Sequence, residues 1–125
     1  MRRSGFTLVE MLLSIVILAI ILSGVARYTG QYLHTVSTST TRTAAAEVAR
    51  ERIGLVDMDP SYATLAAAWS GTQTGFPGYP GMTRVTTVSR VTGNAPQRDY
   101  TIVTVRVTEP TMGAPIDVTT VVASP

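Results

Sequence analysis

The amino-acid sequence predicts an α+β chain: a long N-terminal α-helix, membrane-spanning over its first half, with a small three-stranded antiparallel sheet packed on its second half. Three observations lead there. Residues 6–25 are almost all apolar, interrupted only by Thr7, Glu10, Ser14, Ser23 and Gly24. Apolar residues and alanines then recur, mostly at three- or four-residue steps, as far as Val56, which is the period of one helix face. Towards the C-terminus the valines alternate instead, as in Val103, Val105 and Val107, which is the period of a strand.

The apolar run comes first. About 20 residues at ~1.5 Å each give roughly 30 Å, the thickness of a bilayer core. Arg2 and Arg3 precede it, so the positive-inside bias puts the N-terminus in the cytoplasm and whatever follows the span outside. A secretory signal would have a shorter apolar region followed by a small-residue cleavage site. Here the run continues into "SGVARYTGQYL" without Ala-x-Ala, so a retained anchor is expected over residues 6–26. Glu10 is the anomaly, because a carboxylate inside an apolar helix is penalised on insertion. Two readings stay open on the residues alone. It reaches the headgroups and stabilises the positive N-terminal end of its own helix, or it awaits a cation that arrives later.

The helix is expected to continue through residues 27–56. Leu33, Val36, Thr40, Ala45, Val48, Ala49, Ile53 and Val56 mark its apolar side, and "AEVARERI" favours helix. Glu47, Arg50 and Glu51 mark the solvated side. Residues 57–81 read as a short helix and a Gly/Pro loop. Asp59-Pro60 has the form of an N-cap and first helical residue for a helix to about Trp69. "SGTQTGFPGYPGM" is the loop, with Phe76 and Tyr79 expected to fold back onto the domain. Residues 82–125 carry three strands, "TRVTTVSRV", "YTIVTVRVT" and "IDVTTVVA", joined by the turns "TGNAPQRD" and "EPTMGAP". Val85 and Val91 have opposite parity to Val88, so the core face of the first strand is open and a bulge is allowed there.

Composition excludes more than it assigns. The 125 residues contain no cysteine, one histidine (His34), and ten basic residues that are all arginine. Most nucleophile–base arrangements therefore lack their parts, and an enzyme is not expected. No cofactor and no metal site are expected, because Asp57 and Asp59 lack the further oxygen ligands of a calcium loop and read as a turn and cap. The formal charge is +2, too small to indicate a nucleic-acid partner. Arg84, Arg90 and Arg106 could share an outward face, but Asp99, Glu109 and Asp117 lie near them in sequence, as on an ordinary solvated surface.

A basic leader "MRRSG" followed by "FTLVEMLLSIVILAI" resembles the N-terminal signature of type IV pilins and of the pseudopilins of type II secretion. The resemblance covers about the first quarter of the chain. It implies a leader of residues 1–5, cut after Gly5 by a prepilin peptidase, and N-methylation of the new N-terminal Phe6. It implies that Glu10 is the assembly glutamate, docking on a neighbouring subunit's Phe6 ammonium. It further implies an inner-membrane assembly platform, other pilin or pseudopilin subunits as partners, and passage from the inner membrane into a filament. The segment "AAAEVARERIGLVDMDPSY" is loosely similar to the post-membrane helix of pilus-modification minor pilins and of the I-type pseudopilin. A minor structural subunit is thus the expectation. A major pilin is one alternative, and a membrane-anchored module gripping DNA or a surface is the other.

Overall fold

The computed structural model describes residues 5–94 and 97–125. Its elements are helix α1 (Leu8–Asp57), a 3-10 turn (Tyr62–Thr64), helix α2 (Leu65–Trp69) and strands β1 (Gly71–Gln73), β2 (Thr83–Asn94), β3 (Gln97–Thr108) and β4 (Ile116–Ala123). The residues divide into two compact units, Met1–Ser37 and Thr38–Pro125.

Among its described residues, the first unit holds Gly5, Phe6 and Thr7 and then α1 as far as Ser37. Its apolar side chains are exposed all round, from Leu8 at 76% to Val25 at 57%. A helix apolar on every side has no solvated face and belongs in a bilayer or a core. The helix is long and apolar enough to cross a membrane. Its hydroxyls are satisfied within the helix: Ser14 donates to the Glu10 carbonyl and Ser23 to the Ala19 carbonyl, both at 2.8 Å. Such back-bonding lets serine sit in an apolar run without an open donor.

In the second unit, α1 packs on one face of an antiparallel sheet of four strands in the order β1-β2-β3-β4. The three-strand expectation is corrected by β1. Gly71–Gln73 lies in the segment read as a glycine loop, too short to show alternation, and pairs with β2 from Gly71↔Thr86 to Gln73↔Arg84. Two further boundaries move. The β2–β3 ladder runs unbroken from Thr83↔Thr108 to Asn94↔Gln97, so most of "TGNAPQRD" is strand; residues 95 and 96 lie outside the described residues. That unbroken register also removes the bulge. Val88 faces the core, because its partner is Val103.

Two clusters make the core. One joins Ala45 and Ala49 of α1 to Met82, Val105, Val107 and Met112. The small alanines, both 0% exposed, let the sheet approach the helix closely, as close packing requires. The other joins Val56, Leu65 and Val103. Phe76 and Tyr79 fold back on the first cluster, where Gly75 and Gly78, both at φ +79, allow a tight turn that residues with a Cβ disfavour.

The arginine stripe does not form. Arg84 is buried (7% exposed) on the helix side of β2. It donates to the Val48 carbonyl (3.0 Å) and to Gln73 Oε1, and stacks over Phe76 with its guanidinium carbon 5.3 Å from the ring centre. Burial, followed by the charge of Arg52, holds its pKa below the usual guanidinium range, against the pull of Glu51. Arg106 is on the opposite face of the sheet, paired with Asp117 at 2.7 Å.

Arg90 lies on the helix side and forms a bidentate pair with Asp99, at 2.9 and 2.6 Å. Tyr62 also donates to Asp99, at 2.9 Å, which ties the turn before α2 to β3. Asp59 is not the helix N-cap that was expected, since α2 begins at Leu65 behind Thr64. It accepts instead from the Ser61 N–H (2.8 Å) and from the Trp69 indole (2.6 Å), closing both ends of the same segment.

The Asp99 lattice predicts acid sensitivity. Hydrogen bonds from Arg90 and then Tyr62 hold the Asp99 carboxyl at about 2, against an ordinary value of 3.8. A lowered folded pKa gives stability that is complete above the unfolded value and is lost as pH falls through the folded one. The detergent-solubilised chain should therefore lose melting temperature between about pH 4 and pH 2. Asp99→Asn should already melt lower at pH 7 and show a shallower acid loss, as measured by circular dichroism.

Candidate functional site

The start of α1 gathers the residues singled out in the sequence. Gly5, Phe6 and Thr7 are non-helical, and α1 begins at Leu8. The Gly5–Phe6 bond is thus outside the helical hydrogen-bond ladder, and the Phe6 side chain is 80% exposed. A protease needs an extended, accessible backbone, so this bond is available where those after Leu8 are locked into helix. Arg2 and Arg3 of the leader lie outside the described residues.

Glu10 does not point away from this segment. Its Oε2 accepts two hydrogen bonds from Thr7, from the backbone N–H at 2.8 Å and from the hydroxyl at 2.9 Å. The Glu10 N–H in turn donates to Thr7 Oγ1 at 3.3 Å. This is a reciprocal capping box: Thr7 is the N-cap, Glu10 the third residue of the helix, and each satisfies a donor that the other's position leaves open. Gly5, Phe6, Thr7 and Glu10 line one open concavity of about 320 Å³.

Both Thr7 bonds converge on Oε2. Among the described residues Oε1 has no hydrogen-bond partner. The carboxylate is held in place through one oxygen and presents the other. The two readings of Glu10 are therefore compatible, since the same side chain caps its own helix and keeps an acceptor for a cation. Thr7 was missed in the sequence reading, although the spacing Thr7-x-x-Glu10 ahead of an apolar run is the usual sign of a capping box.

No group of three or more His, Asp or Glu residues among the described residues is placed to hold a metal ion. Both Asp59 oxygens are engaged as described above, and Asp57 accepts from Thr120 at 3.5 Å.

The capping geometry predicts a measurable defect. Thr7→Val removes the hydroxyl and two of the three bonds, leaving the N–H bond to Glu10. Amide exchange at the first turn of α1 in detergent should speed up by roughly 3- to 30-fold, the range for a lost N-cap. Exchange past Ser14 should not change.

Comparison with known proteins finds a match over the same segment. Residues 1–26 match the family model described as the prokaryotic N-terminal methylation motif. No curated protein and no solved structure matches the chain. The match spans the leader, the Gly5–Phe6 bond, the Thr7–Glu10 box and the apolar run together: the chain carries the prepilin-type N-terminal signature of type IV pilins and pseudopilins.

Proposed function

We propose that this chain is a structural subunit of a type IV pilus or a type II secretion pseudopilus, cut after Gly5, methylated at Phe6 and assembled through its N-terminal helix. The observation that carries the reading is the match to the methylation motif over an apolar helix headed by Glu10, whose Oε1 has no hydrogen-bond partner among the described residues. Cutting at Gly5 creates an ammonium at Phe6 and removes Arg2 and Arg3. A neighbouring subunit's ammonium then meets the exposed carboxylate oxygen in a low-dielectric medium, where opposite charges attract strongly and offset each other's desolvation. Prepilin peptidase, an inner-membrane assembly platform and other pilin-type subunits are the partners this role needs. The work is mechanical rather than catalytic, in keeping with a chain without cysteine or lysine and with a single histidine.

Among filament subunits, the small cysteine-free domain favours a minor one. Abundance separates the cases, since a major pilin dominates sheared filaments and a minor one is a trace component.

Intact mass of the membrane-extracted protein should correspond to a chain starting at methylated Phe6, and Gly5→Val should leave the leader attached. Glu10→Gln should insert and be cut normally but co-purify with filament partners more than tenfold less than wild type, because a neighbour's ammonium is left unpaired. Normal incorporation at matched levels of cleaved protein would reject the docking role and leave only the helix cap.

A further inference from the structure

The described residues contain two ion pairs, Arg90–Asp99 and Arg106–Asp117. Arg84 and Arg52 lie between helix and sheet without one, and among the exposed charged side chains that make none, three occupy related positions on α1. Glu47 and Glu51 rim a groove of about 340 Å³ whose floor is Ala44 and Val48 and whose wall is Phe76, Pro77 and Tyr79. Arg42 is exposed and pairs with neither.

Helix geometry explains why. At 100° per residue, Arg42 lies about 180° around α1 from Glu51 and about 140° from Glu47. The buried stripe of Thr41, Ala45 and Ala49 runs between the two flanks. Arg42 therefore projects from one flank of the packed helix and the acidic groove opens on the other. The charges nearest the groove do not neutralise it by contact. Arg50 follows Glu47 by three residues and makes no ion pair, and Arg84 lies beneath the Phe76 wall with its donors turned to Val48 and Gln73.

We propose that the groove between Glu47, Glu51 and the Phe76–Tyr79 turn receives Arg42 of a second copy of this chain, standing beside the first in the same orientation. That orientation rests on the proposed assembly through the N-terminal helix. Copies set side by side in one direction bring the left flank of one against the right flank of the next, a heterologous contact that repeats without closing. Arg42 and Glu47 are five residues apart, about 7.5 Å along a helix, an offset that an extended arginine and a glutamate reaching toward each other span together when two helices pack about 8–10 Å apart. A guanidinium suits the site, as its planar fork matches carboxylates and its face stacks on aromatic rings. The contact requires two adjacent copies and does not require that this chain be the main subunit.

Complementation in trans tests the contact. One variant carries Arg42→Glu; the other carries Glu47→Arg with Glu51→Arg. Expressed alone in place of wild type, each juxtaposes like charges, and crosslinked dimers of the cleaved protein should fall at least about tenfold. Expressed together, the acidic arm of the first meets the basic groove of the second and the basic arm of the second meets the acidic groove of the first, and mixed dimers should return to within about threefold of wild type. Misfolding of either variant cannot produce that rescue. Wild-type levels of dimer from either variant alone, or no rescue on co-expression, would overturn the contact. If Glu10→Gln abolishes incorporation while Arg42→Glu does not, the contact falls and the filament reading stands. If the wild-type chain forms neither dimers nor filaments, both fall.

Discussion

A carboxylate at the head of an apolar helix must keep partners at every stage of the chain's life. In water it is solvated, but in a bilayer or a bundle of apolar helices it is not, and an unpartnered charge there is expensive. The Thr7–Glu10 box meets this demand from within. Two donors of Thr7 reach one oxygen, and the Glu10 amide returns a bond to the threonine hydroxyl. The consequence is positional. The helix starts at Leu8, the Gly5–Phe6 bond stays outside it, and the second carboxylate oxygen has no hydrogen-bond partner among the described residues. In the proposed function, processing at Gly5–Phe6 and docking at Glu10 would use neighbouring groups without competing for the same hydrogen bonds.

The second unit handles its charges by a different rule. Arg84 and Arg52 are placed between helix and sheet with no carboxylate in contact. Each donates to a backbone carbonyl, Val48 for Arg84 and Trp69 for Arg52, and each stacks on an aromatic ring. Desolvation is the leading influence on both guanidinium groups. Carbonyl oxygens and ring faces offset part of that cost without bringing in a second buried charge. The arrangement also fixes geometry: Arg84 links α1, β1 and the Phe76 turn, while Arg52 links α1 to α2. The acidic side chains of α1 are thereby left on the surface, with Glu47 and Glu51 on the rim of the groove.

Much of this was legible in the sequence because burial is periodic. Val103, Val105 and Val107 alternate and are all fully buried, and the apolar run from Phe6 is exposed all round as a span should be. The methylation signature was legible from six consecutive residues, Gly5 to Glu10. What escaped the reading depended on pairing rather than period. Strand β1 has three residues, too few to alternate, and exists because β2 offers it an edge. Arg84 looks like a solvated residue by type, and only the register that sets it beside Val107 puts it inside. Val88 looked out of phase with Val85 and Val91 because β2 has hydroxyl and guanidinium side chains on its core face, so hydropathy was a poor guide to direction there. Thr7 was legible in principle, because Thr7-x-x-Glu10 ahead of an apolar run is the spacing of a capping box.

The central claim is that Glu10 is held by its own Thr7 and paired with a neighbour's terminal ammonium. Mixed isotope labelling measures this directly. Filaments are assembled from this chain with a 13C-labelled Glu10 carboxyl and from neighbouring pilin-type subunits with a 15N-labelled N-terminal amine, and dipolar recoupling reads the distance between them. Because no single chain carries both labels, a signal arises only between subunits. The account predicts a nitrogen–carbon distance of about 4 Å or less, as in an ion pair. Absence of coupling in mixed filaments, with strong coupling when both labels share one chain, would contradict it.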